Sequence, residues 1–346
     1  MPEMKLDTLE DIVQQVGEIY RSSNQNLRSR LHKEILLNAL KFKRDALDTL
    51  NLKIMNRAMA EFRYAARVFK PYRKVRKVSI FGSARTPMDD PYYLVALEFA
   101  RRLAEEGFMV ITGAADGIMR AGNVGAGATK SFGANILLPF EQSANEEILH
   151  DPKLITFRYF FIRKLFFLME AHAIALFPGE FGTHDEAFEA LTLLQTGKSP
   201  PMPIVLVELP GEGYWESWDR FIRDQMLRRG FISKEDLSLY KIVHSPEEGV
   251  EWICNYYSTY HSMRRVRNRL VIRLERELTN DHIRELNESF QDLIREGDIG
   301  KIRPFPVEQN EPDLISKPRL AFHYNDRSPG RLTEMILRIN EMGQLI

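Results

Sequence analysis

The stretch ALFPGEFGTHDEAFEAL, residues 175–191, joins an apolar run to a glycine turn and then to a helical pattern. Gly179 and Gly182 allow backbone N–H groups to converge on an anion, and the following helix adds its dipole. Glu186 stands at T-x-x-E spacing from Thr183; the same spacing is a capping box, in which both side chains only tie off a helix N-terminus. A carboxylate, Glu180, lies inside the turn. Facing a phosphate at about 4 Å, it would oppose binding by roughly 4 kcal/mol per unit charge pair at an effective dielectric of 20. It is also a poor choice if the turn needs a positive φ. Upstream, FIRKLFFLME places Arg163 and Lys164 in a mostly apolar helical pattern. Two such cations either snorkel to solvent or, facing inward, require a carboxylate or phosphate.

Two further loops carry glycine after an apolar run. IFGSARTP supplies Gly82 and Ser83 where a ribose or base can approach, although Gly-Ser after a strand is also an ordinary turn. TGAADGIMRAGNVGAGA runs through Gly113 and Gly117 into a helical pattern. The spacing of these glycines is not the G-x-G-x-x-G of a dinucleotide fold, so NAD is not expected. No G-x-x-x-x-G-K-[ST] run occurs in the third loop, which disfavours kinase or ATPase chemistry.

These loops need a scaffold that delivers them to one place. From Lys77 onward, apolar runs (KVSIFG, MVIT, ANILLP, LITFRYF, AIALFP, PIVLVEL and YKIVHS) alternate with amphipathic segments near 92–106, 117–130, 161–172, 184–197, 214–229 and 246–263. That alternation predicts an α/β fold, a doubly wound parallel sheet of about seven strands, with ligands at the strands' carboxyl ends. Residues 1–75 read as a helical extension with a basic hinge, KPYRKVRK; residues 76–262 as the Rossmann-like domain; residues 263–346 as a small α/β domain of strands and two helices. In its opening part, the arginines of RRVRNRLVIR alternate with apolar residues as on one strand with a solvated face.

The chain has 346 residues, more than the about 100–200 of one typical domain. Lys+Arg and Asp+Glu both total 48, so no global field draws the chain to nucleic acid or anionic lipid, and neither is expected as a partner. A single cysteine, Cys254, excludes an internal disulfide and a cysteine-cluster metal site; no metal is expected. The acidic N-terminus lacks the pattern of a signal peptide, and Arg163, Lys164 and Glu170 interrupt the most apolar stretch. A cytoplasmic location is therefore expected.

Taken in order, FGSAR, TG-x-x-x-GIM, ANILLPFEQ, the IRK helix and PG-x-x-GT-x-x-E resemble the LONELY GUY (LOG) family, long mislabelled as lysine decarboxylases, over about residues 76–260. The resemblance implies a Rossmann-like homodimer, without cofactor, that hydrolyses the N-glycosidic bond of a nucleoside 5′-monophosphate to free base and ribose 5-phosphate. By that resemblance Arg163 and Glu186 are catalytic. Gly82, Ser83, Gly113, Gly117, Met119, Lys164, Gly179, Gly182 and Thr183 fall on substrate-binding positions. The sequence departs from the family where three glycines become Gly113-Ala114-Ala115, whose methyl groups are expected to hinder a ligand, and where PGG becomes Pro178-Gly179-Glu180. A nucleotide sensor without cleavage, or a scaffold using the terminal extensions, are the alternatives.

Overall fold

The computed structural model describes residues 8–22, 26–139 and 143–345, so the last part of the ANILLPFEQ motif lies outside the described residues. The chain divides into two compact units, Met1–Phe62 and Arg63–Ile346. The first is helical: α1 (Leu9–Ser22), α2 (Leu27–Arg44) and the larger part of α3 (Thr49–Phe69). Asn26 starts α2 by accepting a hydrogen bond from Ser29 N at 2.9 Å, which satisfies one of the free donors of the first turn.

The second unit contains β1 (Lys77–Phe81), α4 (Pro91–Glu105), β2 (Met109–Thr112), α5 (Ile118–Ala126), β3 (Ser131–Ile136), β4 (Leu154–Phe157) and α6 (Phe160–Met169). It continues with β5 (Ala173–Leu176), α7 (Phe181–Gln195), β6 (Ile204–Val207), α8 (Tyr214–Phe221), β7 (Lys241–Val243) and α9 (Pro246–Tyr256). The seven strands form one parallel sheet in the order β4-β3-β2-β1-β5-β6-β7. All seven expected strands are present, and the doubly wound fold is as the alternation implied. The order reverses between β1 and β5, and at such a switch point the loops diverge to leave a crevice at the strands' carboxyl ends. The three glycine loops follow β1, β2 and β5 there.

Both faces of the sheet are covered, which explains why its strands read as continuous apolar runs. Val78, Ile80, Val110, Ala175 and Val207 pack against Phe99, Leu103, Ile118 and Ile253 on one side. On the other, Phe132 stacks on Phe69 at 4.4 Å and Phe81 meets Phe167 edge-on at 4.8 Å. Each fully buried side chain of this size contributes about 1.5–3 kcal/mol. Ser79 Oγ donates to Phe167 O at 2.8 Å, fixing α6 to β1 by a directional bond. This matters for the site because α6 carries Arg163 and Lys164.

The C-terminal part holds β8 (Tyr260–Val266), β9 (Arg269–Leu274), α10 (Asn280–Ser289), β10 (Ile294–Lys301), β11 (Arg319–Tyr324) and α11 (Pro329–Gln344), with an antiparallel sheet ordered β10-β11-β9-β8. RRVRNRLVIR is thus not one strand but the hairpin of β8 and β9, turning at Arg267, whose φ is 55°. Alternation runs through such a reversal unbroken, and no glycine marked it. The helix expected over 246–263 ends at Tyr256, because the chain after it pairs as β8.

Candidate functional site

The three loops are held to one another mainly by Ser83. Its N–H donates to Pro178 O at 3.1 Å in the third loop, and its carbonyl accepts from Ile118 N at 3.0 Å beyond the second. These approaches explain three of the glycines. A Cβ at residue 82 would lie 2.7 Å from Ile118 Cγ1, at 117 it would lie 2.3 Å from Ser83 O, and at 179 it would lie 2.2 Å from Thr183 Oγ1. Gly117 also has φ +62°, a conformation other residues adopt only with strain. Gly182, in contrast, faces open space.

The second loop is braced from below. Thr112 Oγ1 donates to Asn123 Oδ1 at 2.8 Å and accepts from Ala114 N at 3.0 Å, while Asn145 Nδ2 donates to both Asn123 Oδ1 and Ala115 O. Ala114 adopts φ 62°, at a cost of roughly 1–2 kcal/mol for a residue with a Cβ. Its methyl packs with Ala144, Ile148 and Leu154 in a small apolar cluster, so the expected obstruction of a ligand by Ala114 does not arise.

Arg163 leaves α6 to lie across the mouth of this loop. Its Nε donates to Ala134 O at 2.8 Å, its guanidinium sits 5.1 Å from the Phe167 ring, and a Cβ on residue 113 would meet Nη2 and Met119 Sδ at 2.5 Å each. Burial lowers its pKa to about 10, while the charge of Glu186 works to raise it; Arg163 remains a cation at neutral pH. The inward-facing alternative read from the sequence is the one realised.

Glu186 is 6% exposed, and its Oε2 has no hydrogen-bond partner among the described residues. Burial pushes its carboxyl up to about 7, against the opposing charges of Lys164 and Arg163. Lys164 ion-pairs with Asp185 at 2.9 Å and Glu189 at 2.5 Å. Burial pulls its pKa down, yet those pairs more than compensate and hold it above its ordinary value. A carboxyl poised near neutrality beside a fixed cation is an arrangement suited to proton transfer.

In the third loop the capping box fails. The cap position just before α7 is Glu180, whose side chain makes no capping bond, and Thr183 and Glu186 are both inside the helix and buried. Glu180 has φ −78° and ψ −173°, ordinary extended backbone, so the strain expected for a glutamate here is absent too. Its carboxylate accepts from Ser83 Oγ at 2.9 Å and lies 3.5 Å from Arg85 Nε. Gly179 is gripped by Tyr214, whose hydroxyl donates to Gly179 O at 2.6 Å and lies 3.3 Å from Gly179 N and 2.8 Å from His184 Nε2. One hydroxyl proton and two lone pairs account for all three bonds, which places the His184 proton on Nε2. Tyr214 escaped the sequence reading because it lies 35 residues beyond the loop it holds, and no local pattern connects the two. Arg85 stood in the quoted FGSAR motif but had no visible partner.

Among the described residues no cluster of His, Cys, Asp or Glu is arranged to hold a metal, and no helix is long and apolar enough to cross a membrane. A cavity of about 680 Å³ lies away from the three glycine loops, lined by Leu168, His172, Met202 and His261 near the amino ends of β5, β6 and β8.

Residues 109–253 match the family model described as "Possible lysine decarboxylase", the LOG-type family, and the resemblance read from the motifs is borne out over that stretch. Similar solved structures include TM1055, at 24% identity over 52% of this chain and 98% of that one, with a TM-score of 0.36. A molybdenum cofactor carrier protein from Chlamydomonas reinhardtii has 16% identity over 52% and 96%, with a TM-score of 0.37. DNA processing protein A from Helicobacter pylori, described as binding single-stranded DNA, has 13% identity over 52% and 80%, with a TM-score of 0.36. No curated protein sequence matches the chain.

Proposed function

We propose that this chain hydrolyses the N-glycosidic bond of a nucleoside 5′-monophosphate, giving free base and ribose 5-phosphate. The observation that carries the reading is Glu186: a buried carboxyl whose Oε2 has no hydrogen-bond partner among the described residues, raised to about 7, within electrostatic reach of Arg163 at the sheet's switch point. As the C1′–N bond breaks, its electron pair leaves with the base and positive charge grows on the sugar. A carboxylate there stabilises that charge and takes a proton from the attacking water, whose oxygen bonds to C1′ while the base gains a proton. Arg163, planar and pinned through Nε, presents its remaining N–H groups to hydroxyl or phosphate oxygens.

Lysine decarboxylation through a Schiff base is less well supported, because the lysine at the site, Lys164, is held above its ordinary pKa when that chemistry needs the reverse. Phe160, Phe161, Leu165 and Met169 are left exposed along α6 and support a homodimer through that face. The test is product chromatography after incubation with a panel of nucleotides and nucleosides. Free base and sugar phosphate, lost in Glu186→Ala, is the expected result. Intact nucleotide retained on the protein would instead make it a sensor.

A further inference from the structure

We infer that Glu180 is a specificity residue that removes this site's preference for a 5′-phosphate, so that an unphosphorylated nucleoside is cleaved at least as efficiently as its 5′-monophosphate. This rests on the reading of the site as a glycosidic-cleavage centre, and it extends the substrate class from the 5′-monophosphate to the unphosphorylated nucleoside.

The end of the crevice at the start of α7 has the elements of an anion site: a glycine turn, a helix N-terminus, and the hydroxyl and N–H groups of the adjoining first loop. In this chain the donors of the turn and of the first loop are already engaged, and only the helix N-terminus keeps its own. Gly179 N–H is directed to the Tyr214 hydroxyl, the Ser83 hydroxyl proton goes to Glu180, and Ser83 N–H goes to Pro178 O. The residue that precedes the helix contributes a carboxylate of its own. Glu180 holds that carboxylate on Ser83 by a 2.9 Å hydrogen bond, over the same loop junction a phosphate would approach.

The nearest cation does not cancel it. Arg85 approaches at 3.5 Å, but its side chain is 88% exposed, and an exposed ion pair of this kind is weak and screened by salt. A dianionic phosphate therefore meets a carboxylate that one exposed arginine offsets only in part, and finds three of the loop donors already in use. A 5′-hydroxyl meets an acceptor, the same pairing by which a carboxylate recognises ribose hydroxyls in other nucleotide folds.

The experiment measures kcat/KM for adenosine and AMP with the wild-type chain, Glu180→Gly and Glu180→Gln. Wild type is expected to give an adenosine-to-AMP ratio of one or more. Both variants should shift that ratio toward AMP by about tenfold, the shift shrinking as salt rises. A wild-type ratio far below one, or a ratio unmoved in both variants, overturns the inference. If no base is released from either compound, the cleavage reading fails separately. The head-group inference is then read from calorimetric binding of AMP and adenosine to the same three proteins, where Glu180→Gly must strengthen AMP binding alone.

Discussion

Arg163 Nη2 occupies the space that a side chain on Gly113 would need, 2.5 Å from where a Cβ would lie. The glycine is therefore a positioning device for the arginine. Arg163 cannot simply retreat, because its Nε is bonded to Ala134 O at 2.8 Å and its guanidinium lies against Phe167. Gly113→Ala should displace the guanidinium by a fraction of its own width and lower kcat about a hundredfold, as misplacement by about 1 Å does elsewhere. Base release and a thermal melt run together check this. A variant with near-normal Tm and wild-type kcat would show that the close approach has no catalytic meaning.

Glu186 makes a prediction about stability that differs in sign from its role in activity. Its carboxyl is raised from the ordinary 4.5 to about 7 by burial. Between those values the unfolded chain has lost the proton that the folded chain retains, so stability falls as pH rises through that window and levels off above it. The difference of 2.5 corresponds to about 3 kcal/mol. Glu186→Gln should thus be more stable than wild type at pH 8, by up to about 3 kcal/mol, and no more stable at pH 4. Its base release should be lost. Wild-type activity should rise with an acid limb near pH 7 as the carboxylate forms. Urea titrations at the two pH values decide the first point, and an unchanged difference between them would contradict it.

What the sequence revealed here was the set of parts, and what it concealed was their partners. The inner strands β1, β2, β5 and β6 are buried throughout and read as nearly continuous apolar runs, while the edge strands β4 and β7 are only partly buried and were found by their place in the alternation with helices. Arg163 stood out because a cation in an apolar helix needs a reason, whereas Glu186 read locally as a helix cap and was marked as catalytic only by the family resemblance. The capping box was misleading for a physical reason: T-x-x-E describes a helix start equally well three residues earlier or later, and α7 begins at Phe181. Glu180 looked hostile to the turn because its backbone angle was unknown; its partners, Ser83 and Arg85, arrive from a different strand. Long-range pairings of this type leave no trace in local spacing.

Tyr214 supplies a third test. Its hydroxyl satisfies Gly179 O, Gly179 N and His184 Nε2 together. Tyr214→Phe leaves those groups without their partner and should cost about 1–3 kcal/mol. Because the hydroxyl is shared, Tyr214→Phe and His184→Ala should be non-additive by about 0.5–3 kcal/mol in a double-mutant cycle read by urea unfolding. Strict additivity would mean that His184 and Tyr214 do not form one unit.

The last prediction concerns the C-terminal sheet, where charge is buried among residues that belong to none of the three glycine loops. Arg273 and Glu308 are 3% and 1% exposed and pair at 2.7 Å, with Arg319 3.7 Å from the same carboxylate. Glu308 also accepts from Phe305 N at 2.9 Å, which ties the connection between β10 and β11 to the sheet. Burial works to raise the Glu308 pKa, but Arg273, the Phe305 N–H and Arg319 together hold it below the ordinary value. A carboxyl lowered on folding contributes stability above its unfolded pKa and loses it as pH falls through the folded one. Arg273→Ala removes the main partner and leaves a buried charge, so it should destabilise by about 3–5 kcal/mol at pH 7. That deficit should shrink as pH falls through the lowered pKa of the wild-type carboxyl, below which it is protonated in both proteins. Arg265→Ala, which breaks an exposed pair with Asp326, should cost no more than about 1 kcal/mol. Equal losses in the two variants, or an Arg273→Ala deficit that persists unchanged in acid, would mean that the buried pair does not hold this sheet together.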